Sequence, residues 1–292
     1  MSATAGQPSL LSQTKALLRQ AGLQARKSLG QHFLVDGAYL KHILAAAELS
    51  GDDRVIEVGP GLGILTRALA ERAGRVLAIE KDENLTSLLK DNLREFSNLT
   101  VVNQDIMKAD TAALIGELQA GTSRRYKVVA NLPYYVASPV LRLFLEAQIK
   151  PERLVVMVQK EVARQISAHP GDMSLLSVGV QLYGQPKIIK YVPARAFYPP
   201  PEVDSAILRI AVYPSPRVEV EIDSFFVLVR AGFSAARKQI ANSLSHGLDL
   251  PKEEVLSLLA RAGVDPQRRA ETLSIEEWGG LWHEYQEAVK RT

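Results

Sequence analysis

The sequence predicts an α/β protein: a mostly parallel sheet wrapped by helices, followed by a small C-terminal all-α domain. Three observations carry this reading. Short β-branched runs alternate with helical stretches from Arg54 onward, the pattern of repeated βαβ units. The alternation ends at Tyr213-Pro-Ser-Pro-Arg217, a rigid break between elements. Beyond the break the apolar residues recur at helical spacing.

The elements follow in order. Val55–Val58 reads as a buried strand, Leu62–Ala73 as a helix and Arg75–Ile79 as the next strand. Asn84–Phe96 is expected to be helical, because Leu85, Leu88, Leu89, Leu93 and Phe96 fall on one face. Leu99–Val102 and Lys127–Ala130 are the third and fourth strands, and Val140–Ala147 is a helix. Leu154–Val158 is the fifth strand, continued by a helix to about Ala168. Lys187–Val192 and Ser205–Val212 lack a clear helix between them and are expected to form an antiparallel edge pair. Past the break, Phe225–Phe233, Ala236–Leu244, Lys252–Ala262 and Ile275–Val289 are candidate helices. The predicted organisation is a flexible segment over 1–22, an α/β domain over 23–212 and a small helical domain over 213–292.

Composition narrows the chemistry. The chain has 292 residues and no cysteine, so disulfides, zinc–thiolate sites, iron–sulfur clusters and cysteine nucleophiles are excluded. No apolar run approaches the ~20 residues of a membrane-spanning helix. The first twenty residues lack the apolar core of a secretory signal, and a cytoplasmic protein is expected. The net charge of +3 hides an uneven distribution: residues 51–120 carry −4, whereas residues 121–205 carry +5. A basic excess of that size fits either a polyanionic partner or a solvated face.

Glu57-Val-Gly59-Pro-Gly61-Leu-Gly63 follows a predicted strand and opens a predicted helix. Open α/β sheets bind nucleotide-like ligands at such turns. The spacing departs from G-x-G-x-x-G, because Ile64 stands where the third glycine would fall, and Pro60 removes an amide that a diphosphate would use. Glu80 ends the second strand and Asp105 follows the third. A carboxylate at the first position can accept ribose hydroxyls, and one at the second can accept an adenine amine. Each alone could be a solvated strand end. Together at the tips of three consecutive strands they describe a pocket for an adenosine without a diphosphate, namely S-adenosylmethionine.

Asn131-Leu-Pro-Tyr134 follows the fourth strand and resembles the motif of methyltransferases that act on exocyclic amines of nucleobases. Such an amine is a poor nucleophile. The Asn131 side-chain oxygen and the Leu132 carbonyl can accept its two hydrogens, Pro133 fixes the local backbone, and Tyr134 offers an aromatic face to an unstacked base. Two further blocks are Lys27-Ser-Leu-Gly-Gln-His-Phe-Leu34 and Arg195-Ala-Phe-Tyr-Pro-Pro-Pro-Glu-Val-Asp-Ser205. With these four blocks in order, the chain from about residue 23 resembles the ribosomal RNA adenine N6,N6-dimethyltransferases. The nearest likeness is to the bacterial small-subunit (16S rRNA) members, the kasugamycin-resistance methyltransferase family.

The resemblance implies roles at matching positions. Gln31, His32, Leu34, Glu57, Gly59, Gly61, Glu80, Lys81, Asp105 and Ile106 would bind S-adenosylmethionine, together with Asn131. Asn131, Leu132, Pro133 and Tyr134 would act on the target adenine, with Tyr134 and Phe197 sandwiching it. Lys27, Arg195, Arg237 and Lys238 would contact RNA. Phe197, beside three prolines, is expected to be a loop aromatic. The family's basic helix usually reads F-x-x-R-R-K; here Ala236 replaces the first arginine. The family dimethylates two adjacent adenosines near the 3′ end of 16S rRNA in the assembling 30S subunit. A monomer without metal or membrane partner is expected.

Overall fold

The computed structural model describes residues 9–20, 22, 31–119, 125–235 and 237–290. In chain order the elements are α1 (Leu10–Gln20), β1 (Phe33–Leu34), α2 (Gly37–Ala47), β2 (Arg54–Val58), α3 (Ile64–Ala70), β3 (Arg75–Glu80), α4 (Glu83–Asn92) and β4 (Leu99–Asn103). They continue with α5 (Thr111–Gln119), β5 (Tyr126–Asn131), α6 (Ala137–Leu145), β6 (Arg153–Gln159), α7 (Lys160–Ile166), α8 (Leu175–Gln181), β7 (Gly184–Val192), β8 (Phe197–Tyr198) and β9 (Ser205–Val212). Four helices follow: α9 (Ile222–Phe233), α10 (Ile240–Leu248), α11 (Lys252–Arg261) and α12 (Ile275–Val289). The chain divides into two compact units, Met1–Ala163 with Lys187–Val212, and Arg164–Pro186 with Tyr213–Thr292.

The first unit is built on a seven-stranded sheet in the order β4-β3-β2-β5-β6-β9-β7. β2, β3, β4, β5 and β6 run parallel to one another. Inner strands buried on both faces need unbroken β-branched runs, and residues such as Val55, Ile56, Val128, Val129, Val155 and Val156 are buried accordingly. No residue of β4 is fully buried, as befits an edge strand. The order reverses beside β2: the chain moves outward to β3 and β4, then returns to β5 on the other side. The Gly59–Gly63 loop leaves β2 at this reversal, the position where sheets of this kind leave a crevice for ligands.

Several expectations are corrected. Within the segment expected to be flexible, residues 10–20 form α1, because Leu18 buries against Phe33, Leu62, Leu85 and Leu88; residues 1–8 lie outside the described residues. The strands Lys187–Val192 and Ser205–Val212 do pair at the end of the sheet, with β7 alone outermost. β9 lies between β6 and β7, antiparallel to β6 with Ser205 opposite Gln159. Phe197 is a residue of β8, 3% exposed and packed in the core with Leu34, Ile43, Val129 and Ile207. Its apolar ring is worth more buried than displayed on a loop.

In the second unit, Trp278 of α12 is fully buried and stands 5.7 Å from the Phe233 ring of α9. Ser274 caps α12 through a reciprocal bond with Glu277, and Arg268 pairs with the same glutamate. Residues 164–186, assigned by sequence to the α/β domain, belong to this unit, where α8 packs against α9. The expected helix over 236–244 starts instead at Ile240, so Arg237 and Lys238 sit in the preceding turn, both exposed.

Candidate active site

At the C-terminal ends of the parallel strands lies a cleft of about 530 Å³. It is lined by every residue expected to bind cofactor and every one expected to act on the target base: Gln31, His32, Leu34, Glu57, Gly59, Gly61, Glu80, Lys81, Asp105, Ile106, Asn131, Leu132, Pro133, Tyr134 and Phe197. Arg195 is exposed in the turn before β8 and is not among the lining residues. Arg237 and Lys238 lie in the other unit, and Lys27 falls outside the described residues.

The glycine loop is held from both sides. The Gly59 amide donates to the Ile79 carbonyl at 3.0 Å, and the Gly61 amide donates to Glu80 Oε2 at 3.1 Å. Gly61 has φ +59°, and a Cβ there would meet Phe33 Cε1 at 3.0 Å. Glycine is needed because the chain must turn in the left-handed region with an aromatic ring pressed against it.

The three carboxylates differ in state because their surroundings differ. Glu57 is 1% exposed and its Oε2 has no hydrogen-bond partner among the described residues. Burial pushes its pKa up to about 8, with Thr66 opposing and Glu80 adding to the shift. Glu80 is also raised by burial, but less freely, because its oxygens accept amides from Asp82 and Gly61. Asp105 is instead lowered by the Lys81 ammonium, which contacts its Oδ2 at 2.9 Å. Asp105 Oδ1 accepts the Met107 amide at 3.1 Å.

On the other side of the cleft, Asn131 Nδ2 donates to the His32 carbonyl at 3.1 Å. This fixes the amide, and no hydrogen bond among the described residues engages Oδ1. The Leu132 amide donates to the Met157 carbonyl at 3.2 Å, so the peptide after Asn131 is tied to β6. Tyr134 bonds through its hydroxyl to Ser205 Oγ at 2.8 Å. Its ring stacks on His32 with centroids 5.9 Å apart. Burial raises its pKa, so the hydroxyl stays neutral and able to donate. His32 is held in turn by the Pro199 carbonyl, 2.7 Å from Nδ1. The short β1–β8 ladder, with Leu34 opposite Phe197, brings two blocks distant in sequence to the same wall.

Sequence reasoning missed Ser205, Met157 and Pro199, whose contributions are a single hydroxyl and two backbone carbonyls. It also missed Met107 and Tyr135, which line the cleft mouth. Tyr135 directly follows the recognised motif, and its exposure depends on tertiary packing.

The strand order, the reversal at a glycine loop and the cleft above it define a Rossmann-like, S-adenosylmethionine-dependent methyltransferase. Its family follows from comparison with known proteins: residues 22–287 match the family model described as ribosomal RNA adenine dimethylase, and the chain belongs to that family. It is 49% identical over 286 residues to ribosomal RNA small subunit methyltransferase A of Dehalococcoides mccartyi, covering 98% of this chain and 97% of that protein. It is 45% identical to the protein of the same name in Alkaliphilus metalliredigens, covering 94% and 96%. Among solved structures, a dimethyladenosine transferase from Plasmodium falciparum superposes with a TM-score of 0.73 at 27% identity, covering 88% of this chain and 98% of that one. The 23S rRNA methyltransferase ErmE superposes with a TM-score of 0.69 at 30% identity, covering 87% and 99%. The protein is thus an rRNA adenine dimethyltransferase. Among the described residues no helix is long and apolar enough to cross a membrane.

Proposed function

We propose that the protein dimethylates N6 of two adjacent adenosines in the 3′-terminal hairpin of 16S rRNA. It would act on the assembling 30S subunit, as a cytoplasmic monomer with a role in small-subunit biogenesis. The 16S assignment is supported by relatives of 45–49% identity that carry small-subunit names, against 30% for the 23S enzyme.

The donor set fits S-adenosylmethionine. Glu80 spends one lone pair of each oxygen on an amide and keeps others for ribose hydroxyls. Asp105, with Ile106 and Lys81 on the same part of the cleft lining, would accept from the adenine amine. Gly59 and Gly61 leave the backbone bare for the methionine part, where buried Glu57 offers an unpartnered oxygen, and Gln31, His32 and Leu34 close the wall. When bound, this cofactor supplies an electrophilic methyl group on a sulfonium.

The observation that carries the proposal is the clamped amide of Asn131. With Nδ2 committed to the His32 carbonyl, Oδ1 is the atom presented to a ligand. It accepts one N6 hydrogen of adenine, and the Leu132 carbonyl accepts the other. The nitrogen becomes more pyramidal and its lone pair points away from the ring. Pro133 holds this carbonyl, and Tyr134 covers one face of the base with the ring face opposite His32. Phe197 supports the other face from the core wall. Lys27, Arg195, Arg237 and Lys238 would bind phosphates. Fixed polar groups of this kind need no reorganisation at the moment of reaction.

The test is transfer of labelled methyl from S-adenosylmethionine to isolated 30S and 50S subunits lacking their modifications, followed by mapping of the modified bases. Two adjacent N6,N6-dimethyladenosines near the 16S 3′ end are expected. Labelling confined to 50S subunits would replace this reading with the large-subunit one.

A further inference from the structure

Tyr135 and Met107 stand out among the residues lining the cleft. Tyr135 is 61% exposed and Met107 43% exposed, although both are large and apolar in body. Neither is exposed because its backbone is loose. Tyr135 lies in a 3-10 turn over Tyr134–Val136 closed by the Val136 amide on the Pro133 carbonyl at 3.1 Å. Met107 lies in a second 3-10 turn, Ile106–Lys108, which Asp105 caps and which packs against α6. Tyr134 turns its hydroxyl inward to Ser205, whereas Tyr135 makes no hydrogen bond among the described residues. The Lys81 ammonium, 68% exposed on the same rim, pairs with Asp105. The Asp105 carboxylate holds the Lys81 pKa above the ordinary lysine value. A rigid aromatic face and a soft thioether on the rim of one cleft match the face and edge of one unpaired base.

We propose that Tyr135, with Met107, forms a stacking shelf for the unpaired nucleobase next to the adenine held by Asn131. The inference rests on the proposed function, since it requires an RNA substrate with its target base unstacked. It adds a contact outside the cofactor and target-base residues: the neighbouring base rests on the Tyr135 ring while the target is in the cleft. The strand is then held open on one side.

The experiment compares Tyr135→Ala and Tyr135→Phe with the wild type. The probe is the 30S subunit lacking the modification, its binding to fluorescein-labelled protein read by anisotropy, with calorimetry of S-adenosylmethionine binding alongside. Loss of one stacked base should weaken RNA binding by about 5- to 100-fold in the alanine variant. The salt dependence should keep its slope, because no phosphate contact is removed. The phenylalanine variant should bind RNA like the wild type, and cofactor affinity should be the same in all three. Unchanged RNA affinity in Tyr135→Ala overturns the shelf, as does a loss of cofactor affinity with RNA binding intact. A wild type that methylates 30S subunits normally beside an indistinguishable alanine variant removes this inference and leaves the function standing. A wild type that neither binds nor methylates rRNA removes both.

Discussion

At the scale of single residues, two side chains in the cleft are set for opposite reasons. Asn131 is fixed by a hydrogen bond to His32, so its contribution is positional. Replacement Asn131→Ala should lower methyl transfer by at least about 100-fold, the size of effect of removing one preorganised polar contact. RNA affinity should stay nearly unchanged, since phosphate contacts carry most of it. Transfer at a rate near that of the wild type would refute the role. Glu57 is set by burial, which raises its pKa from 4.5 to about 8. The folded chain therefore keeps its proton where the unfolded chain has lost it. Between pH 4.5 and 8 the unfolded state binds fewer protons, so stability falls as pH rises through that window, by roughly 1.4 kcal/mol per unit. Glu57→Gln cannot ionise in either state. In cofactor-free protein it should match the wild type near pH 5 and exceed it by about 2 kcal/mol or more at pH 8, measured by urea unfolding. Parallel pH profiles would disprove the assignment. Both residues were legible in the sequence because Glu57 lies in a predicted strand just before the glycine loop and Asn131 directly follows another. Their states were not, because a hydrogen bond to His32 and complete burial exist only once distant blocks meet.

At the scale of elements, the same substitution should act with opposite sign at two glycines. Gly63 opens α3 at φ +83°, and a Cβ there would lie 2.6 Å from Leu89 Cδ2 of α4. Gly63→Ala should destabilise by at least about 1–2 kcal/mol through left-handed backbone strain, with the clash adding to it. Gly116 lies inside α5 with open space where its Cβ would be, so Gly116→Ala should stabilise by up to about 1 kcal/mol. Thermal unfolding of the two variants decides the matter, and shifts of the same sign would contradict the packing described. These elements also show where sequence patterns work. The inner strands were readable because burial on both faces demands continuous β-branched runs. α2, Gly-Ala-Tyr-Leu-Lys-His-Ile-Leu-Ala-Ala-Ala, has apolar residues around most of its circumference, so it lacks a one-faced period. α5 is interrupted by Gly116. α8 is seven residues long and contains two valines and a glycine, a composition closer to that of a strand.

At the scale of the whole molecule, the divided charge and the divided chain have different boundaries. The −4 segment, 51–120, holds Glu57, Glu80 and Asp105, while the +5 segment, 121–205, holds Asn131, Tyr134 and Arg195. Both sides of the cleft thus fall within the first compact unit, although the +5 segment extends beyond it. The Tyr213-Pro-Ser-Pro-Arg217 break was visible from composition alone. The excursion of residues 164–186 into the second unit was not, because a helix that leaves one core for another carries the same apolar pattern either way. This makes a prediction about truncation. A fragment ending at residue 212 keeps the sheet and the cleft but strips α8 of its partner α9. Val178, Val180 and Leu182, all buried in the full chain, would then lose part of their cover. Apolar surface of that kind drives association. The 1–212 fragment should bind a hydrophobic dye and self-associate, whereas the full chain should do neither. Replacing Val178 and Leu182 by serine in the fragment should reduce both effects, because the exposed face is then polar. A monomeric, dye-silent fragment with the unfolding midpoint of the intact protein would show that residues 164–186 are stable without α9 and that the break at Tyr213 is the true structural boundary.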